Sequence, residues 1–119
     1  MMKRDPGSLL PLTPAMFHVL VALADGGTHG YQILKDVEEL TGGAVRLSTG
    51  TLYGIIKRLL NDGLISELRA RPSANDDERR RYYRLTPKGR EVAATEALRL
   101  AKVVELARAR RLLKKTQPA

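Results

Sequence analysis

The sequence contains no cysteine and no tryptophan, and it has only one phenylalanine and two histidines in 119 residues. The absence of cysteine excludes disulfide bonds, thiolate nucleophiles and thiolate metal sites, and it fits a reducing cytoplasm. His18 and His29 have no cysteine to complete a ligand set, which argues against a dedicated metal site. We therefore expect neither a metal nor another cofactor.

Long apolar runs are also absent. The longest one covers positions 19–24 and has six residues. Such a run is too short for a signal-peptide core or a transmembrane helix. We expect a soluble, cytoplasmic, single-domain protein that does not contact a membrane.

Catalytic motifs are missing too. The sequence shows no Ser-His-acid set, no glycine-rich phosphate loop and no cluster of metal ligands. The prediction is that this protein is not an enzyme.

Positive charge is what the sequence has in excess. Lys and Arg number 21 against 13 Asp and Glu, for a net charge of +8. The excess lies in the second half, with eight basic and three acidic residues at positions 69–90, and seven against one at positions 99–115. This distribution favours a polyanionic partner over the alternative, a charge that serves solubility alone.

Two short helices are predicted first. Thr13 caps the first helix and Pro14 begins it. The apolar residues of this helix follow helical spacing: Met16, Val19, Leu20 and Leu23. After the break at positions 25–27, Thr28 is predicted to cap the second helix, which ends at Gly42. The apolar stripe predicted for that helix is Ile33, Val37 and Leu40.

The third predicted helix, capped by Ser48 and closed by Asp62 and Gly63, has two very different faces. Its apolar stripe is Leu52, Ile55, Ile56 and Leu59. The opposite face carries Thr49, Gly50, Tyr53, Lys57 and Asn61. Three short helices joined by glycine-containing turns are typical of a helix-turn-helix unit, whose last helix reads DNA.

Two strands are predicted next, at positions 64–68 and 81–85, with a polar segment between them. Tyr82 and Tyr83 should point to opposite faces, so that one is buried and the other partly exposed. The predicted fold class is therefore mainly α with a two-stranded β-wing, a winged helix-turn-helix followed by a long C-terminal helix.

The last helix is predicted at positions 87–113 and would be roughly 40 Å long. Its apolar residues exceed what the domain can bury, which predicts a homodimer through the following positions: Leu98, Leu100, Ala101, Val103, Val104 and Ala107. Folding of this helix back on its own domain is the alternative. The predicted divisions are a flexible arm at 1–12, the winged domain at 13–86, the dimerisation helix at 87–113 and a frayed tail at 114–119.

Five short motifs stand in order along the chain: LADG and HGY at positions 23–26 and 29–31, GTLY and RL at 50–53 and 58–59, and RRYYRLTPKG at 80–89. Together they resemble the PadR family of bacterial transcriptional regulators. The resemblance implies a dimeric repressor of the short-tailed subgroup that binds an inverted repeat in double-stranded promoter DNA. It also implies that the dimer can enclose a pocket for a small-molecule effector. Without tryptophan such a pocket would lack large aromatic walls, so we favour a packed interface and leave the effector open.

Ten residues are predicted to contact DNA: Ser48, Thr49, Gly50, Thr51, Tyr53, Lys57, Arg58, Arg79, Arg80 and Arg81. The first four lie at a helix N-terminus, which favours phosphate, and the three arginines lie at the base of the wing. Tyr53 resembles a family tyrosine that meets the DNA backbone, with packing under the wing as its alternative role. Non-specific or architectural nucleic-acid binding is the main alternative function, and a protein-interaction module is another.

Overall fold

A computed structural model describes residues 9–68 and 81–114 of the chain. This part forms four helices and three strands: α1 Pro14–Ala22, β1 Thr28–His29, α2 Gly30–Leu40, α3 Thr49–Asn61, β2 Ile65–Leu68, β3 Tyr82–Leu85 and α4 Pro87–Ala109. The arrangement agrees with the predicted mainly helical fold carrying a β-wing. Residues 1–8 of the predicted arm, the wing tip with Arg79 and Arg80, and residues 115–119 of the predicted tail lie outside the described ranges.

Side-chain caps begin the helices. The side-chain oxygens of Thr13, Ser48 and Thr86 accept the backbone N–H groups of Met16, Thr51 and Gly89, at 3.1, 3.1 and 2.9 Å. These three starts are where the sequence predicted them. The second helix differs, because His29 caps it by accepting the N–H of Gln32 at 3.2 Å, and Thr28 lies in a strand instead.

That strand, β1, was not predicted. β3 is the central strand of an antiparallel sheet, with β2 on one side and β1 on the other. Thr28 pairs with Tyr83, and His29 pairs with Tyr82. The expectation that one tyrosine would be partly exposed is wrong, since both are buried. The added strand explains this result, because the His29 ring packs edge-on against Tyr82 with 5.3 Å between the ring centres.

The core lies between the helices and one face of the sheet. It includes the predicted residues Val19, Leu20, Leu23, Ile33, Val37, Leu52, Ile56 and Leu59, joined by Leu64 and Val92. The prediction that Leu40, the last member of the α2 stripe, is a core residue is wrong, since its side chain is 62% exposed. It lines a cleft of about 620 Å³ together with Val21 and Ala22.

Residues 9–12, assigned to the arm from the sequence, pack against the domain. Leu12 is buried, and its N–H donates to a carboxylate oxygen of Glu96 at 2.8 Å. Glu96 is itself buried on α4, where the guanidinium of Arg99 also bonds to it. The bond from Arg99, together with the Leu12 N–H, lowers the pKa of the Glu96 carboxyl even though burial opposes this shift.

Because the pKa of Glu96 is lowered in the folded protein, the free energy of unfolding should depend on pH. Ionised Glu96 stabilises the fold fully above the carboxyl's unfolded pKa of about 4.3, and this contribution is lost as the pH falls through the lower folded value. We expect the urea midpoint of the natural protein to fall between about pH 5 and about pH 3. Glu96→Gln should be less stable at neutral pH and should show a smaller fall in acid. Glu91→Gln, at an exposed position of α4, is the control, and an equal fall in all three proteins would contradict this assignment.

The beginning of α4 is joined closely to the end of α3. The hydroxyl of Thr86 donates to the carbonyl of Gly63 at 2.6 Å, and its N–H donates to the carbonyl of Leu64 at 3.1 Å. The Lys88 ammonium donates to the carbonyl of Asp62 at 3.1 Å. A Cβ on Gly89 would overlap the carbonyl oxygen of Leu64, so only glycine permits this approach. We call these contacts the α3–α4 junction.

The second half of α4 extends beyond the domain, and most of its side chains are exposed. The buried positions Gly89, Val92 and Glu96 continue at helical spacing as Leu100, Val103 and Ala107. Leu100 is 36% exposed and Val103 50% exposed, with Val104 beside them at 42%. The six residues predicted for dimerisation do not form one face, because Leu98 and Ala101 lie on another side of the helix and line a shallow groove with Leu106. No helix in residues 9–68 and 81–114 is long and apolar enough to cross a membrane.

Candidate nucleic-acid interface

The predicted division of α3 into two faces is confirmed. Leu52, Ile56 and Leu59 are buried, and Ile55 packs against the same core. Ser48, Thr49, Gly50, Thr51, Tyr53, Lys57 and Arg58 are all exposed. The buried stripe therefore fixes the helix on the domain and turns its polar residues outward. We call the exposed surface formed by Gly50, Tyr53, Gly54, Lys57 and Asn61 the outer face of α3.

The N-terminus of α3 offers polar groups at its first turn. Ser48 accepts the N–H of Thr51 and donates its hydroxyl to Thr51 Oγ1 at 2.9 Å. Both side chains therefore contribute to the cap, while Thr49 and Gly50 remain exposed beside them. The first N–H groups of a helix lack partners within it, and together with the helix dipole they attract an anion. The arrangement suits one phosphate of a nucleic-acid backbone.

Gly54 was missed in the sequence, although it lies on the same side of the helix as Gly50 and Lys57. A Cβ built at Gly50 or at Gly54 would meet no atom within 4 Å. Neither position has the positive φ that favours glycine. Glycine inside a helix lowers its stability, so two exposed glycines without a packing role leave bare backbone for a close partner. The four-residue spacing of the two glycines was the signal that could have identified this pair.

Tyr53 has features of both roles predicted for it. Its side chain is 47% exposed on the outer face, yet its hydroxyl lies against Gly30 at the start of α2. The phenol also lies near Tyr83 on the wing. Burial, then the nearby Glu67 carboxylate and Tyr53, raise the pKa of the Tyr83 phenol. Tyr53 therefore lies where α2, α3 and the wing meet.

The two remaining basic positions differ. Arg58 forms an ion pair with Asp62 at the i, i+4 spacing that allows such pairs on a helix, with 3.9 Å between Nε and Oδ2. Arg81, just before β3, lies 3.7 Å from the Glu67 carboxylate and is also exposed. Surface pairs of this kind contribute only tenths of a kcal/mol, so a phosphate could replace either carboxylate at low cost. Arg79 and Arg80 lie outside the described residues.

Metal chemistry finds no support in the described ranges. In residues 9–68 and 81–114 no group of three or more His, Cys, Asp or Glu side chains is placed to hold a metal ion. The exposed groups that do converge are helix N–H groups, hydroxyls, a lysine and a phenol beside the wing. Such groups bind the sugar-phosphate backbone and the base edges of nucleic acids.

Comparison with known proteins gives one consistent family. A family model described as "Transcriptional regulator PadR-like family" matches residues 19–95. The transcriptional regulator Rv3488 of Mycobacterium tuberculosis is 42% identical over 92 residues, which cover 76% of this chain and 77% of that protein. An uncharacterised 37.1 kDa protein in transposon TN4556 of Streptomyces fradiae is 39% identical over 89 residues, or 75% of this chain.

Coverage differs between these relatives. The chain spans about a quarter of the Streptomyces protein, of which the match covers 24%. Among solved structures, Bacillus subtilis PadR in complex with operator DNA superimposes with a TM-score of 0.58 at 19% identity, over 92% of this chain and 51% of that one. At this identity the likeness concerns the fold, which is that of the described helices and wing.

Proposed function

This chain belongs to the PadR-like family of transcriptional regulators, and on that premise we propose that it is a dimeric repressor that binds an inverted-repeat operator in double-stranded DNA. The observation that carries the proposal is α3, whose inner side is buried while its outer face presents glycines, hydroxyls, a phenol and a lysine. The Bacillus subtilis structure of similar fold contains operator DNA, which supports the same kind of ligand here.

In the proposed complex α3 enters the major groove. The helix N-terminus at Ser48, Thr49 and Thr51 binds a phosphate, and the bare backbone at Gly50 and Gly54 lets the DNA approach closely. Lys57 contacts a phosphate or a guanine edge. Arg81 follows the phosphate backbone beside the groove, and the same contact stays a prediction for Arg79 and Arg80, which lie outside the described residues. Two copies of α3 would lie about 34 Å apart, one turn of DNA.

Dimerisation is the second part of the proposal. Leu100, Val103, Val104 and Ala107 continue the buried side of α4 past the end of the domain. A second copy would cover these side chains, and two-fold pairing matches an inverted repeat. Leu98 and Ala101 lie on a different side of the same helix, and their contacts with a second copy stay a prediction. Release of the operator by a small-molecule effector stays a prediction too.

Titration of promoter DNA tests the proposal. The natural protein should bind a duplex carrying the inverted repeat more tightly than a scrambled duplex of equal length and composition. If about six to ten phosphates are contacted, affinity should fall about 10³- to 10⁵-fold between about 50 and 200 mM salt. Equal affinity for both duplexes, with the same salt dependence, would instead identify a non-specific nucleic-acid-binding protein.

Lys57 gives a residue-level prediction. Lys57→Ala is expected to weaken operator binding about tenfold, because a hydrogen bond to a charged group is lost. The slope of log affinity against log salt should also decrease by about one if the partner is a phosphate. The comparison variant is Lys102→Ala, which replaces an exposed lysine in the second half of α4 and should bind as the natural protein does. Both unfolding curves should match that of the natural protein.

A further inference from the structure

Gly30, the first residue of α2, is buried, and nothing in its backbone requires glycine. It lies within the helix and lacks the positive φ found at Gly26, Gly42, Gly43 and Gly63. Alanine would be favoured over glycine at a helical position on conformational grounds. The reason for glycine here must therefore lie in the space around it.

That space is occupied by one side chain. A Cβ at Gly30 would lie 2.7 Å from Oη, 3.1 Å from Cζ and 3.4 Å from Cε1 of Tyr53. All three atoms belong to the far end of the same phenol. The missing side chain of Gly30 therefore forms a slot that holds the Tyr53 ring against the first turn of α2.

The slot determines where the hydroxyl is. Tyr53 is 47% exposed and lies on the outer face of α3 with Lys57, one turn away. The tip of its ring lies against Gly30, and Tyr83 on β3 is near enough to interact with it electrostatically. An exposed tyrosine side chain would otherwise sample several rotamers, and fixing its ring lowers the entropic cost of a later contact.

We propose that Gly30 is a positioning residue for DNA recognition, because its slot holds the Tyr53 ring so that the hydroxyl is presented to a backbone phosphate beside Lys57. The inference rests on the operator-binding function proposed above. It assigns to a buried glycine on α2 a role in the contact made by α3. Gly30 itself does not touch DNA.

The fold should tolerate a methyl group at position 30, but the Tyr53 ring would have to leave its present position. The clashing atoms are at the tip of a half-exposed side chain, which can swing outward without moving the backbone. Gly30→Ala is therefore expected to fold and to bind the operator about tenfold more weakly, as expected for one lost hydrogen bond to a charged group. Tyr53→Ala should weaken binding by a similar factor.

A double-mutant cycle tests the coupling. Operator affinity and urea midpoint are measured for the natural protein, Gly30→Ala, Tyr53→Ala and the double variant. In the Tyr53→Ala background, Gly30→Ala should cause no further loss of affinity. It should raise the urea midpoint, because without the ring the only remaining effect is the higher helix propensity of alanine. A further tenfold loss in that background would overturn the proposal, as would Gly30→Ala binding like the natural protein.

The two hypotheses fail in different ways. If the natural protein does not distinguish the inverted repeat from scrambled DNA, the proposed function is wrong. If it does distinguish them while Tyr53→Ala binds normally, the function stands and the positioning role is overturned. Tyr53→Phe keeps the ring and removes the hydroxyl, so it should bind as weakly as Tyr53→Ala; normal binding by this variant would also contradict the proposal.

Discussion

Leu100→Glu is expected to give a folded monomer that has lost operator binding. Leu100 is the first residue of the α4 stripe beyond the buried Glu96, and its side chain is 36% exposed. At a two-fold interface a carboxylate there would place two unpaired charges in an apolar contact. The dimer should therefore dissociate.

Loss of the dimer should have a large effect on DNA binding. Two linked reading helices bind two half-sites as one unit, and separating them lowers affinity by about 10²- to 10⁴-fold. Sedimentation velocity measures the association state, and titration of the inverted repeat measures the affinity. Val104→Glu should behave in the same way. If Leu100→Glu remains a dimer, the assignment of this side of α4 is wrong.

Leu98→Glu is the matched comparison. Leu98 is 58% exposed on the same helix, but it lies with Ala101 and Leu106 on another side. A dimer that survives Leu98→Glu and not Leu100→Glu would place the interface on the stripe that continues from Glu96. Dissociation of both variants would mean that the second copy encloses α4 from two sides.

Gly89→Ala is expected to have the largest effect on stability. The new Cβ would overlap the carbonyl oxygen of Leu64 and lie 2.8 Å from its carbonyl carbon. Both atoms belong to the backbone, so no change of side-chain rotamer can relieve the overlap. The first turn of α4 would have to move away, with loss of the hydrogen bonds that Thr86 donates to Gly63 and Leu64. We expect a destabilisation of about 3–5 kcal/mol, a large part of the stability of so small a domain.

Urea unfolding followed by circular dichroism measures this effect. Gly54→Ala is the matched control, since it makes the same substitution in a helix where a Cβ would meet nothing within 4 Å. That control should be more stable than the natural protein by about 0.5–1 kcal/mol. A Gly89→Ala midpoint close to that of the natural protein would show that the α3–α4 junction can be displaced without cost.

The sequence was sufficient to predict the features that depend on residues close together along the chain. The caps at Thr13, Ser48 and Thr86 and the buried stripe of α3 follow from spacings of three and four residues, which helix geometry fixes. The motifs were sufficient to indicate the PadR family of transcriptional regulators, and the family match confirms that the chain belongs to it. The exposed residues at the start of α3 were also predictable as positions on a helix.

Features that depend on distant residues could not be predicted in this way. The burial of Tyr82 requires His29 on a strand formed more than fifty positions earlier. Glu96 looks like one more surface charge until the Leu12 N–H, 84 residues away, reaches it. Leu40 has the correct spacing, but it is the last residue of α2 and its side chain is 62% exposed. Gly30 looks like an ordinary helix start, because its partner Tyr53 is on another helix.

The α3–α4 junction has a consequence for operator geometry. Asp62, Gly63 and Leu64 accept hydrogen bonds from Thr86 and Lys88, which join the end of α3, the proposed reading helix, to the start of α4, the proposed dimerisation helix. In a dimer joined through α4, the crossing angle of the two long helices would set the distance between the two reading helices. The spacing of the operator half-sites would then be encoded in α4, and their base sequence in α3.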